Sequence, residues 1–313
     1  MPYTLDFAED VPTSVRRCIR EELATATTLL RDDFEADPVE AVHEARKSLK
    51  KTRAALRMVR TGLGKRVYRQ ENRALRDAAR RISGARDADV MVETVEKLAD
   101  RYVARLPADD FTLRDHLRVQ AATSRAAGVA GSGRTEVVGV LDGVAGRIED
   151  WPLEQADWTT VAGGMEVAYR RGRRAFAAVE EDPTVEHLHD WRKRVKDLWY
   201  HQRLVSPAWP GVIDAQADEA HRLSELLGDD HDLAVLAGLF ADDEAGTRPP
   251  VPVDPGPLLG LIAERRAEIQ GEAVRLGARI YAERPKAFRR RVRRYLEAAR
   301  AEAAAGAEDG VRV

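Results

Sequence analysis

Two segments of this 313-residue chain carry the same run of a histidine followed by cations. His43-x-x-Arg46-Lys47-x-x-Lys50 recurs as His189-x-x-Arg192-Lys193-x-x-Lys196, and the match continues to Arg57 and Arg203, fourteen residues beyond each histidine. Arg53 belongs to the first run and Tyr200 to the second. A guanidinium offers a planar fork of donors matched to phosphate oxygens, and an ammonium offers a mobile point charge. The mixture suits a flexible chain of phosphates without demanding one register.

The elements that must position these groups are helices. A helix turns about 100° per residue, so offsets of three, four, seven and fourteen share one arc. His43, Arg46, Lys47, Lys50 and Arg57 therefore lie on one face, with Ala45, Leu49, Leu56 and Val59 opposite. The second copy places Trp191, Val195, Leu198 and Val205 opposite its cations, so each helix has an apolar stripe to bury. A solvated face ordinarily mixes signs, because opposite charges three or four residues apart stabilise a helix by about 0.2–0.5 kcal/mol. Neither arc contains a carboxylate. The stacked like charges oppose folding by similar amounts, which a bound anion relieves.

A third helix should carry Arg66, Arg69, Arg73, Arg76 and Arg80 at spacings of three and four, extending the cationic surface. The second copy lacks that stripe: Asp214, Asp218 and Glu225 are acidic, and His221 stands where Arg76 stood. The expected surface is thus richer in cations on the first half. Near the C-terminus, Lys286, Arg289, Arg290 and Arg293 share an arc with Phe288, Val292 and Tyr295 opposite, repeating the geometry. Tyr169-Arg-Arg-Gly-Arg-Arg174 supplies second-tier arginines around Gly172, a candidate for close helix packing.

The formal charge of -2 conceals this segregation. From His43 to Arg86, fifteen Lys and Arg stand against only Glu44, Glu71 and Asp77. Such a local field concentrates polyanions, while the low net charge limits indiscriminate adhesion to nucleic acid and membranes.

These residues resemble the CHAD domains, helical proteins named for their histidines and associated with inorganic polyphosphate. The resemblance runs from about Val15 to Ala299. It rests on Asp37-Pro38 and Asp182-Pro183 ahead of the histidine runs, on Ile82-Ser-Gly-Ala-Arg86-Asp87-Ala-Asp89-Val90, and on Leu227-Gly228-Asp-Asp-His231-Asp232-Leu233. The most specific string is Leu188-His189-Asp-Trp-Arg-Lys-Arg-Val-Lys-Asp-Leu-Trp-Tyr200. It implies an all-α fold of two helical bundles related by a pseudo-twofold, with basic faces lining a shared cavity or groove for polyphosphate. The acidic strip motifs of the triphosphate tunnel enzymes that accompany some CHAD domains are absent, which implies a binding domain standing alone.

Composition permits that fold. Abundant Ala, Arg, Glu and Leu, few aromatics and no alternating Val/Ile/Thr runs point to helix throughout. We divide the chain into a first bundle over residues 1–150, a second over 151–300 and a disordered tail over 301–313. Thr13 or Ser14 caps the first helix, which should run to about Asp33, and Asp37-Pro38 starts the histidine helix. Gly62 and Gly64 end that helix, Gly131-Ser-Gly133 reads as a turn, Trp151-Pro152 as a boundary, and Glu244 to Pro257 as a loop. The single cysteine, Cys18, forms no intramolecular disulfide and no thiolate metal site. No signal peptide or membrane-length apolar run is visible, so a cytoplasmic protein is expected, associated through its family with polyphosphate granules.

For His43 and His189 two readings stay open: each donates to phosphate, or each is satisfied by a protein acceptor and orients its bundle. His116, His187, His201 and His221 are read as satisfied structural groups. Asp87 and Asp232, at expected helix junctions, should hold the cationic helices in place. Catalysis, a cofactor and a metal are not expected: His187-x-His189 and His231-Asp232 superficially suggest a metal-dependent phosphohydrolase, but cations crowding His189 repel a divalent ion. Nucleic acid is the second candidate partner, demoted because few aromatics accompany the cations and no helix-turn-helix, zinc or RNP signature is present.

Overall fold

The computed structural model describes residues 3–82, 86–105, 110–129, 133–240 and 255–310, and among these the only regular elements are helices. They run α1 (Val11–Arg31), α2 (Pro38–Met58), α3 (Arg60–Arg81), α4 (Arg86–Arg101), α5 (Asp110–Val129) and α6 (Gly133–Ala145) in the first half. The second half has α7 (Trp158–Glu181), α8 (Val185–Val205), a 3-10 turn (Ser206–Ala208), α9 (Pro210–Gly238), α10 (Gly256–Ile280) and α11 (Pro285–Gly310).

Cap chemistry sets several starts. Asp37 accepts from the Val39 and Glu40 backbone N–H groups, with Pro38 in the first helical position, as its sequence predicts. The first helix starts earlier than expected, because Asp10 caps it through the Thr13 N–H and Pro12 tolerates the first turn. Asp182 ends α7, and Thr184 caps α8 instead. The histidine helix α2 stops at Met58, before the two glycines. Gly64, at φ 72° and ψ 163°, then breaks α3 internally, a backbone conformation that costs a residue with a Cβ about 1–3 kcal/mol. Helix α11 continues through Gly310, where the sequence suggests a frayed tail.

The apolar stripes do what the periodicity requires. Leu49 and Leu56 of α2, Val59 at its C-terminal cap, and Trp191, Val195 and Leu198 of α8 are buried in one core that also draws on α1, α3, α6, α7, α9, α10 and α11. Trp151, placed by sequence at the boundary between halves, lies within it together with Leu153. A second, smaller core forms where α4 and α5 (Val95, Leu98, Leu113, Leu117) lie on Leu233 and Leu236 of α9 and Ile262 and Ile269 of α10. Each half also contains a buried carboxylate clamped by arginine: Arg147 donates twice to Glu71, and Arg266 twice to Asp230. The turn expected at Gly131-Ser-Gly133 and the loop from Glu244 fall largely outside the described residues.

Candidate functional site

The histidine helices pack directly on each other. His201, buried on α8, donates from Nε2 to the Ala54 carbonyl of α2 at 2.9 Å. Arg57 of α2 pairs with Asp197 of α8 at 2.7 Å. The N-terminal segment stitches the same seam, with Tyr3 donating to the Lys51 carbonyl at 2.8 Å and the Leu5 N–H to the Leu204 carbonyl at 2.7 Å. These contacts fix the approach of the two cationic runs.

The result is a mutual field. Lys50 of α2 is half-buried and pairs with no carboxylate among the described residues; burial first, then Arg46, Arg192 of α8 and Lys47, lower its pKa to about 8. Arg53 is lowered to about 10 by burial and by Arg57, and it donates to Asn72 on α3 at 3.1 Å. Cations from both runs therefore act on one another across the helix pair. Exposed Lys193 extends the face on α8.

Arg192 depends on a residue the sequence did not flag for it. A Cβ at Gly228 of α9 would come within 2.9 Å of the Arg192 Nη2, so the glycine leaves the space the guanidinium occupies. Helix α9 runs unbroken through this glycine, which corrects the helix junction expected at residues 229–232. Asp232 is consequently a mid-helix group, its pKa raised by burial against the opposing pull of Arg192, His231 and Lys196. The buried anchor is its neighbour Asp230, held by Arg266 and by Gln270 at 2.8 Å. The described side chains do not include Arg86 and Asp87.

The histidines differ. The His189 ring stacks on His231 with centroids 4.4 Å apart, and the Nδ1 atoms of both are buried without a partner. Burial, then Lys193 and His231, lower the His189 pKa to about 4. It is therefore neutral in the free protein at mildly acid pH. His43 lies 3.6 Å from Glu44 on its own helix. His187 donates to the Asp182 carbonyl at 2.7 Å.

Several expected contacts are otherwise engaged. Tyr200 is buried among Tyr3 and Trp199 and does not lie on the cationic face, because α8 packs on α2 and the N-terminal segment at that position. Glu44, one residue outside the arc, reaches Lys47 at 2.6 Å, and Asp197 takes Arg57. A count by helical angle misses both, the first because a side chain reaches across a turn, the second because the acid belongs to another helix. Arg203 lies over the Trp199 ring. On α3, Arg69 and Arg80 are exposed, and Arg73 and Arg76 share Asp77.

Helix α11 packs chiefly on α7 and the 3-10 turn. Its Arg289 pairs with Glu166 of α7 and Arg293 with Glu297, whereas Lys286 and Arg290 are exposed. Gly172 lies against Tyr281, the close packing anticipated from sequence. Among the described residues no group of three or more His, Cys, Asp and Glu is arranged to hold a metal ion. No helix among them is long and apolar enough to cross a membrane.

With both histidine runs, their capped helices and the α9 segment in one helical assembly, sequence comparison is decisive: the CHAD domain family matches residues 13–241. The chain belongs to the CHAD domain family. The structure is similar to PptA from Streptomyces chartreusis, with a TM-score of 0.61 over 88% of this chain and 100% of that one, at 16% identity. At that identity the likeness concerns the fold alone. No curated protein matches the sequence.

Proposed function

We propose that this protein binds inorganic polyphosphate without catalysis, in the cytoplasm and at polyphosphate granules, through the joined cationic faces of α2 and α8 and the exposed arginines of α3. The observation that carries the reading is the position of Lys50, a half-buried ammonium held among Arg46, Lys47 and Arg192 with its pKa at about 8. A protein surface gains nothing by crowding cations in this way, and a polyanion laid along the joined faces converts the repulsion into attraction. Membership of the CHAD family supports the choice of polyphosphate as that polyanion. Arg192, seated on Gly228, supplies directional donors from α8, while Lys50, Lys47 and Lys193 neutralise charge with little demand on register. The C-terminal cations Lys286 and Arg290 are held as outlying contacts for long chains.

The test is a polyphosphate titration over a range of salt. Log affinity should fall linearly with log salt by about 0.7–0.9 per phosphate contact if nucleic-acid polyelectrolyte behaviour transfers. Long chains should bind more tightly than pyrophosphate, because only they span both helices. Polyphosphate should displace duplex DNA at equal phosphate concentration. The reverse displacement would assign the surface to nucleic acid, and orthophosphate release from polyphosphate with magnesium would overturn the non-catalytic assignment.

A further inference from the structure

A cavity of about 450 Å³ lies among α7, α8, α9, α10 and α11. Its wall includes Leu198 and Gln202 of α8, which by helical angle face away from Lys193 and Lys196. The size is that of small-ligand sites, which run roughly 300–1,000 Å³. Leu198, Leu276 and Phe288, all buried, give it an apolar wall.

Two polar features make it more than a packing defect. Gln202 is only 4% exposed and its Oε1 has no hydrogen-bond partner. A buried amide oxygen left without a donor costs about 1–3 kcal/mol, so such an acceptor beside a cavity favours a ligand that brings a donor. Gln202 itself lines the cavity, and the terminal torsion of glutamine is broad. Among the lining arginines, Arg222 is engaged by Glu272 at 2.6 Å and Arg291 by Glu283 at 2.6 Å. Arg279 is exposed and pairs with no carboxylate among the described residues.

We propose that this cavity is a binding site for a small amphipathic monoanion. Its apolar body rests on Leu198, Leu276 and Phe288, a hydroxyl or N–H donates to Gln202 Oε1, and a carboxylate or sulfonate reaches Arg279. The site is independent of the polyphosphate surface and stands if that assignment fails.

Anilinonaphthalene sulfonate combines an aromatic body, one N–H donor and one anionic group, and serves as the probe. Titrated into the folded protein, its fluorescence should saturate at one molecule per chain. Arg279→Gln and Gln202→Leu should each weaken binding by about tenfold, the worth of one charge-assisted or buried hydrogen bond. Gln202→Leu removes the orphaned oxygen, so thermal stability without ligand should hold or rise. Ala215→Trp, at an exposed lining position on α9, should block the probe and leave polyphosphate affinity unchanged. A non-saturating signal, or saturation indifferent to all three substitutions, would overturn the proposal.

Discussion

Helices α2 and α8 carry the same residues at the same spacing, and their surroundings make them different. Beside α2 stands α3, whose Arg69, Arg73 and Arg80 are exposed. Beside α8 stands α9, which presents Asp214 and Asp218 to solvent and a half-buried Asp232 near Arg192 and Lys196. The α2 run keeps Lys50 without a carboxylate partner among the described residues, whereas the α8 run has Arg192 seated on Gly228 and His189 stacked on His231. A repeated motif therefore sets which groups point outward, and the helix packed alongside sets the field they act in. On this view α2 supplies most of the electrostatic attraction and α8 most of the directional contact.

The largest test of that division replaces cations in pairs. Lys47→Gln with Lys50→Gln should weaken polyphosphate binding by about thirtyfold, at roughly 1 kcal/mol for each ammonium removed, and Lys193→Gln with Lys196→Gln by about tenfold, at roughly 0.7 kcal/mol for each. Glutamine keeps the helix propensity of lysine, so circular dichroism should be unchanged. Thermal stability of the first variant should hold or rise, since Lys50 no longer opposes its neighbours. Equal losses in the two variants would remove the asymmetry, and unchanged affinity in both would make the two faces mere solvated surface.

Much of this site is legible in one dimension because helical periodicity converts spacing into facing. The buried stripes at Leu49, Leu56, Trp191 and Val195, and the opposing cations, follow from that alone. What escapes the sequence depends on contacts between distant segments. Tyr200 reads as part of the face until the N-terminal Tyr3 is packed against it, and Arg57 reads as free until Asp197 arrives from another helix. Asp232 reads as a helix-junction residue, yet α9 continues through it, and at Gly228 the missing Cβ makes room for Arg192. The orphaned nitrogens of His189 and His231 are likewise a product of packing with no local signature.

Gly228→Ala sharpens the directional side of the comparison. Alanine favours the helix interior by about 1 kcal/mol, but its Cβ would lie 2.9 Å from the Arg192 guanidinium and displace it. Unfolding midpoint should change little, the helix gain offsetting the disturbed packing, while polyphosphate affinity falls by about threefold to tenfold. Arg192→Lys should produce a similar loss without the helix gain, because a point charge does not replace a fork. If Gly228→Ala binds like the parent protein, Arg192 does not direct the ligand.

The smallest effect expected is a pH dependence specific to α2. Lys50 titrates at about 8 in the free protein, burial being the leading cause, whereas an unfolded lysine titrates near the ordinary value of 10.5. The unfolded state therefore holds more protons between those values, and stability of the free protein should rise as pH increases through that window. Binding runs the other way. A polyanion favours the charged ammonium, so affinity should fall by about twofold to fivefold as pH rises past 8, with proton uptake on binding at that pH. Calorimetry at pH 8 in buffers of different ionisation enthalpy would read the uptake directly. Lys50→Met should abolish it and flatten the affinity profile, while Lys193→Met leaves both intact because that lysine is exposed. Proton uptake that survives Lys50→Met would place the titrating group elsewhere and deprive α2 of its distinguishing feature.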